Sequence, residues 1–121
     1  MKDVFGHTNP TAVQVKTIPE ILKNSDVLIR SQTGSGKTLA YLLPVFHRLM
    51  TRETPIQRTD GVTCIVVLPT RELVLQSYEA ALKLTRAATN IVVCALTGGQ
   101  RNGSKFLKRK LKKIAKMKFK I

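Results

Sequence analysis

The sequence predicts an α/β domain with a parallel sheet. Three short apolar runs at 26–30, 64–68 and 91–96 alternate with stretches of helical spacing, and glycines close the first and third runs. A run of four to eight apolar residues, bounded by turn signals and free of polar alternation, fits a strand buried on both faces. Strand, helix, strand, helix, strand in that order is the pattern of a doubly covered parallel sheet.

The elements follow in order. Residues 11–24 predict a helix capped by Thr11, with Val13 and Ile18 apolar and one interruption at Pro19. Asp26–Arg30 is the first strand, and Lys37–Met50 is a helix that Pro44 should bend. Residues 51–61, with Pro55, Asp60 and Gly61, make a polar loop. Cys64–Leu68 is the second strand, broken by Pro69-Thr70. Arg71–Arg86 is a helix whose apolar face is Leu73, Leu75, Ala80, Ala81, Leu82 and Leu84. Ile91–Leu96 is the third strand, closed by Gly98-Gly99.

The 121 residues suffice for one domain, and 43% hydrophobic residues fit a packed core. Only 5% are aromatic and none is Trp, so that core is expected to be Val, Ile, Leu and Ala. Cys64 and Cys94 lie inside apolar runs and are expected as buried, reduced thiols. Metal-ligand spacing, a signal-peptide core and an 18-residue apolar span are all absent, so an intracellular protein with no membrane partner is expected. The net charge of +14 points to nucleic acid. Residues 1–100 hold 11 Lys/Arg and all 7 acids, whereas 101–121 hold 10 Lys/Arg and no acid. Composition therefore divides the chain into a domain at 1–100 and a Lys-rich tail at 101–121. In the tail, residues 105–117 have the spacing of a basic amphipathic helix, with an unordered end as the alternative, and 108–113 suit a nuclear import signal.

Ser31-Gln32-Thr33-Gly34-Ser35-Gly36-Lys37-Thr38 fits G-x-x-x-x-G-K-[ST] except at Ser31, and it joins a predicted strand to a predicted helix. Glycines let successive backbone N–H groups curl at a positive helix end, which wraps a phosphate chain. Lys37 is expected to reach the β- and γ-phosphates, and the Thr38 hydroxyl to ligate Mg²⁺. A lysine at a helix N-terminus opposes the macrodipole, so an anion should compensate it. The loop alone indicates a nucleotide without identifying it.

Three more strings accompany the loop. With Gly6-His7-Thr8-Asn9-Pro10-Thr11-Ala12-Val13-Gln14, Pro69-Thr70-Arg71-Glu72-Leu73-Val74-Leu75-Gln76 and Gly98-Gly99, residues 5–100 resemble the DEAD-box RNA helicases. The resemblance implies part of a RecA-like domain, with ATP and Mg²⁺ as cofactors and RNA as partner. In that family the glutamine of the first string reads adenine, a role that falls to Gln14. Pro69, Thr70, Arg71, Gly98 and Gly99 would contact the RNA backbone, which is blind to sequence. Glu72 would suit a first helical turn, with RNA contact as its alternative. Residues 56–61 with 69–76 look most like the branch acting in nucleolar ribosome assembly. That implies pre-ribosomal particles as partners, a nuclear or nucleolar location with the cytoplasm as the other possibility, and a monomer.

The sequence also departs from the family. His7 stands where an aromatic is common, and the tail lacks the Thr-Pro-Gly-Arg, Asp-Glu-Ala-Asp and Ser-Ala-Thr strings. The expectation is a helicase domain cut before its acidic-motif strand. Lys37 and Thr38 are the catalytic residues it keeps, and the arginine finger of the second domain is missing. Two functions follow: an ATP-dependent RNA helicase by family, or a non-catalytic ATP- and RNA-binding fragment. A P-loop kinase or transport ATPase would leave Gln14 and 69–76 unexplained.

Overall fold

The computed structural model describes residues 9–57 and 59–97. Three helices form: α1 (Ala12–Leu22), α2 (Lys37–Met50) and α3 (Arg71–Thr85), with α2 packed against both others. The expectations for His7, Gly98, Gly99, the 105–117 helix and the import signal lie outside the described residues.

Each helix starts on a local signal. Thr11 caps α1 in an extended conformation, and its N–H donates to Gln14 Oε1 at 3.1 Å, the return bond of a capping box. Asn24 closes α1 with φ of 65°, and its N–H reaches Ile21 O at 3.2 Å. Asparagine suits this left-handed closing position. Thr70 caps α3, its Oγ1 accepting from Leu73 N at 3.3 Å, and Glu72 sits in the first turn.

Neither proline ends its helix. The expected interruption at Pro19 is absent: α1 runs through it, and Pro19 O still accepts from Lys23 N at 3.2 Å. Pro19 removes a bond that Val15 O would have accepted, but Val15 is exposed, so water can replace the lost donor. Pro44 also lies inside an unbroken α2, fully buried.

The core sits where α2 meets α3. Leu42 and Phe46, one turn apart on α2, pack with Ala81, Ala88 and Ile91, flanked by Tyr41, Leu49, Ile56, Ala80, Leu84 and Val93. Tyr41 Oη and Ser77 Oγ, 3.0 Å apart, join the two helices by a hydrogen bond. The predicted apolar face of α3 is only partly used: Leu73, Leu75 and Leu82 are exposed, because α2 covers the side carrying Ser77 and Ala81. The loop after α2 turns on a reciprocal pair, with Gln57 N donating to Asp60 Oδ2 (2.9 Å) and Asp60 N to Gln57 O (3.1 Å).

Among the described residues no strand is assigned, so 26–30, 64–68 and 91–97 run without ladder partners. Leu28 is 98% exposed, Val67 88% and Val92 77%. A strand is defined by its neighbours, and an apolar run forms one only where another run lies alongside. The cysteines follow the same logic. Cys64 and Cys94 are exposed, against the expectation of buried thiols, although partial desolvation still pushes the Cys64 thiol pKa up. No helix among the described residues is long and apolar enough to cross a membrane.

Phe46→Ala should remove about 3–5 kcal/mol from this small core, whereas Leu28→Ala should change stability by less than about 0.5 kcal/mol. Urea titrations followed by helical circular dichroism give both values. Equal losses would mean that the core lies elsewhere.

Candidate nucleotide-binding site

The site is built where the N-termini of α1 and α2 meet. Gln14, in the first turn of α1, is only 8% exposed. Its Nε2 donates to Gly36 O at 3.1 Å while its Oε1 accepts from Thr11 N. A carboxamide has two N–H donors and two acceptor lone pairs, so one of each is left over.

Gly36 is required twice. Its φ of 87° is left-handed, and a Cβ there would lie 2.6 Å from Gln14 Nε2 and 3.1 Å from Thr11 Oγ1. Gly34 is also left-handed at 77°, but open space surrounds it. One glycine thus admits the Gln14 side chain, and the other leaves the loop surface bare for a ligand.

Within the loop, Lys37 Nζ donates to Ser31 O at 2.7 Å and to Gln32 O at 2.5 Å, and Ser31 Oγ lies 2.7 Å from Ser35 Oγ. Thr33 is exposed at the loop tip. The start of α2 has no acidic residue and no side-chain cap, so the N–H groups of its first turn and the Lys37 ammonium give this end positive potential. The backbone cradle, the bare Gly34 and the lysine fit a phosphate chain. For Mg²⁺ the fit is narrower. Thr38 offers one hydroxyl, and among the described residues no group of three His, Cys, Asp or Glu could hold a metal. The ion would have to arrive on the nucleotide phosphates.

Thr38 also lines a groove of about 240 Å³ with Leu39, Gln76, Glu79, Ala80 and Lys83. Sequence reasoning gave Gln76, Glu79 and Lys83 no role, yet 76, 79, 80 and 83 have the three- and four-residue spacing of a single helix face. The structure therefore brings Gln14, Ser31, Gln32, Ser35, Gly36 and Lys37 into one bonded cluster. Pro69, Thr70 and Arg71 stand apart from it, exposed at the start of α3.

A phosphate loop on a helix start, beside a buried glutamine of a second helix, defines a nucleotide-binding class of protein, and comparison with known proteins narrows it. The sequence model described as DEAD/DEAH box helicase matches residues 11–119, and the chain belongs to that family. It is 52% identical over 100 residues to a probable ATP-dependent RNA helicase of Drosophila melanogaster, CG8611, covering 83% of this chain and 10% of that protein. It is 48% identical over 101 residues to human "ATP-dependent DNA helicase DDX31", covering 84% of this chain and 12% of that protein. Among solved structures, a hypothetical ATP-dependent RNA helicase from Sulfolobus tokodaii matches with a TM-score of 0.55 and 38% identity, over 67% of this chain and 21% of that one. The fold is thus part of a helicase core. The chain spans about a tenth of the length of the two curated relatives.

Gly36→Ala should expel Gln14 from its pocket, whereas Gly34→Ala should cost only the left-handed strain of about 1–2 kcal/mol. The Gln14 side-chain amide resonances should shift in the first variant alone. Identical spectra for the two variants would contradict the close approach.

Proposed function

We propose that the chain forms the ATP-binding part of an RNA-dependent ATPase that separates or remodels RNA duplexes. The observation that carries this reading is the Gln14 carboxamide, fixed between Thr11 N and Gly36 O with one donor and one acceptor to spare. Adenine offers a complementary acceptor and donor on its Hoogsteen edge, and guanine does not. The same residue borders the phosphate loop, so base and phosphates would be read together.

In this reading the N–H groups of 32–38 and the Lys37 ammonium hold the phosphates. Mg²⁺, when bound with the nucleotide, would neutralise phosphate charge, and the Thr38 hydroxyl would be its protein contact. Thr70 and Arg71, with Pro69 shaping the turn, would hold RNA phosphates at the start of α3. The Thr70 oxygen already accepts from Leu73 N, which leaves its O–H to donate outward. Gly98 and Gly99 would complete the backbone contacts. RNA is favoured over DNA by the Pro69–Gln76 string and by the name of the Drosophila relative, although the human relative is called a DNA helicase. Resemblance to the nucleolar branch extends the proposal to pre-ribosomal particles, a nuclear location and a monomeric enzyme.

The parallel sheet belongs to the same proposal. In the RecA-like arrangement, strands carrying the acidic and Ser-Ala-Thr motifs lie between 26–30 and 64–68, and they would cover Leu28 and Val67. Since the 121 residues contain no Asp-Glu-Ala-Asp string, the chain by itself is read as binding nucleotide without turning it over.

Gln14→Ala should weaken ATP binding by about 1–3 kcal/mol, one buried partner being lost, and GTP binding far less. Calorimetric titration with both nucleotides decides it, and equal losses would remove the adenine-reading role. Lys37→Ala should abolish ATP binding while leaving RNA affinity, measured without nucleotide, within about twofold, because the proposed RNA contacts at Pro69, Thr70 and Arg71 do not include Lys37, whose bonds go to Ser31 O and Gln32 O. A parallel fall in RNA affinity would refute that division of labour.

A further inference from the structure

We infer that the hydroxyl pair Ser31–Ser35 is a positioning brace that holds the phosphate loop curled when Lys37 leaves it for a ligand, a conclusion that rests on the nucleotide-binding reading. Two sets of bonds close the loop on itself. One is the Lys37 ammonium on the carbonyls of Ser31 and Gln32. The other is the 2.7 Å contact between Ser31 Oγ and Ser35 Oγ, four residues apart across the curl. The first set cannot survive intact once the ammonium engages two phosphate oxygens, because Nζ has three donors and two of them already point at loop carbonyls. The second set does not involve Lys37 and persists through the exchange.

The first position of the phosphate-loop pattern is usually glycine, which could not make this bond. Ser31 is therefore bound at both ends, by its carbonyl to Lys37 and by its hydroxyl to Ser35. Between Ser31 and Ser35 lie Gln32, Thr33 and Gly34. Gly34 is left-handed with open space where a Cβ would lie, so no side chain packs on that face of the loop tip. With no neighbouring side chain near Gly34, the brace and the helix start are the groups that fix where its N–H points. Without the brace, the loop would lose part of its curl each time Lys37 turned to a ligand, and the phosphates would meet fewer aligned donors.

The full chain, as wild type, Ser31→Ala, Ser35→Ala and the double variant, tests this with two probes, ADP with Mg²⁺ and adenosine alone. Ser31→Ala and Ser35→Ala should each weaken ADP about three- to tenfold, the worth of one net hydrogen bond. The double variant should fall no further, because the two hydroxyls act as one contact. Adenosine affinity should not change in any of them, since Gln14 reaches Gly36 and not the brace. In the nucleotide-free chain, amide exchange at 33–35 should accelerate in both single variants. Additive losses, or an equal loss for adenosine, overturn the brace. So does unchanged amide exchange, whatever the nucleotide does. A wild-type chain that binds neither probe, yet shows accelerated exchange in the variants, would instead strike at the nucleotide-binding reading and leave the brace standing.

Discussion

The carboxamide of Gln14 is the constraint on which the site depends. A capping box is normally local: an N-cap residue and one three positions on satisfy each other's backbone. Here the same side chain that accepts from Thr11 N also donates to Gly36 O, 22 residues further along. One group thereby sets where α1 begins and holds that beginning against the start of α2. The contact is possible because Gly36 has no Cβ. Its left-handed φ turns the chain into α2, while its bare Cα admits the amide. Removing the carboxamide would leave Gly36 O with only the α2 bond from Ala40 N and would take from Thr11 N the acceptor it has on Gln14.

Lys37 presents the opposite problem. A cation in the first turn of a helix faces the positive end of the macrodipole, which costs several tenths of a kcal/mol to about 1 kcal/mol. The loop offsets this by turning the carbonyls of Ser31 and Gln32 toward the ammonium. Two of the three ammonium donors are thus used within the free loop, and a phosphate chain that takes two oxygens to Nζ must displace at least one carbonyl. An anion replaces a weaker compensation with a stronger one, because a charge–charge contact exceeds a charge–dipole contact at the same distance. The lysine, misplaced by helix rules, is therefore well placed for exchange.

The helices were legible in the sequence because their signals are local. Thr11 with Gln14, Thr70 with Glu72 and the glycine before Lys37 mark starts within a few residues, and the observed boundaries fall close to those signals. Pro19 was over-read: it costs little because the carbonyl it orphans is exposed, a fact of position and not of residue type. The strands were legible only as apolar runs. Pairing is a property of two segments, so no single run can report whether its partner is present. Cys64 and Cys94 inherit that uncertainty, since their burial depends on the same neighbours. Of the site, the loop and Gln14 were readable as motifs, but the serine brace and the Gln76–Glu79 wall of the groove depend on how the loop curls and how α3 lies on α2.

The site's bonds involve residues 11, 14, 31, 32, 35, 36 and 37, and none of them involves the apolar runs. Its geometry follows from two helix starts and one loop, whereas the sheet expected of the family would supply burial for Leu28, Val67 and Val92. Site geometry and sheet burial are thus separable in this chain. What ties the nucleotide loop to the rest is α2. From its first turn, Thr38 shares a groove with Gln76 and Glu79 of α3, and one turn on, Tyr41 is hydrogen-bonded to Ser77. Among the described residues, a change at the phosphate loop can reach α3, at whose start Thr70 and Arg71 stand, by moving α2 against α3 along this line. Since Leu42 and Phe46 interlock with Ala81 on the same interface, such a movement must carry the core with it.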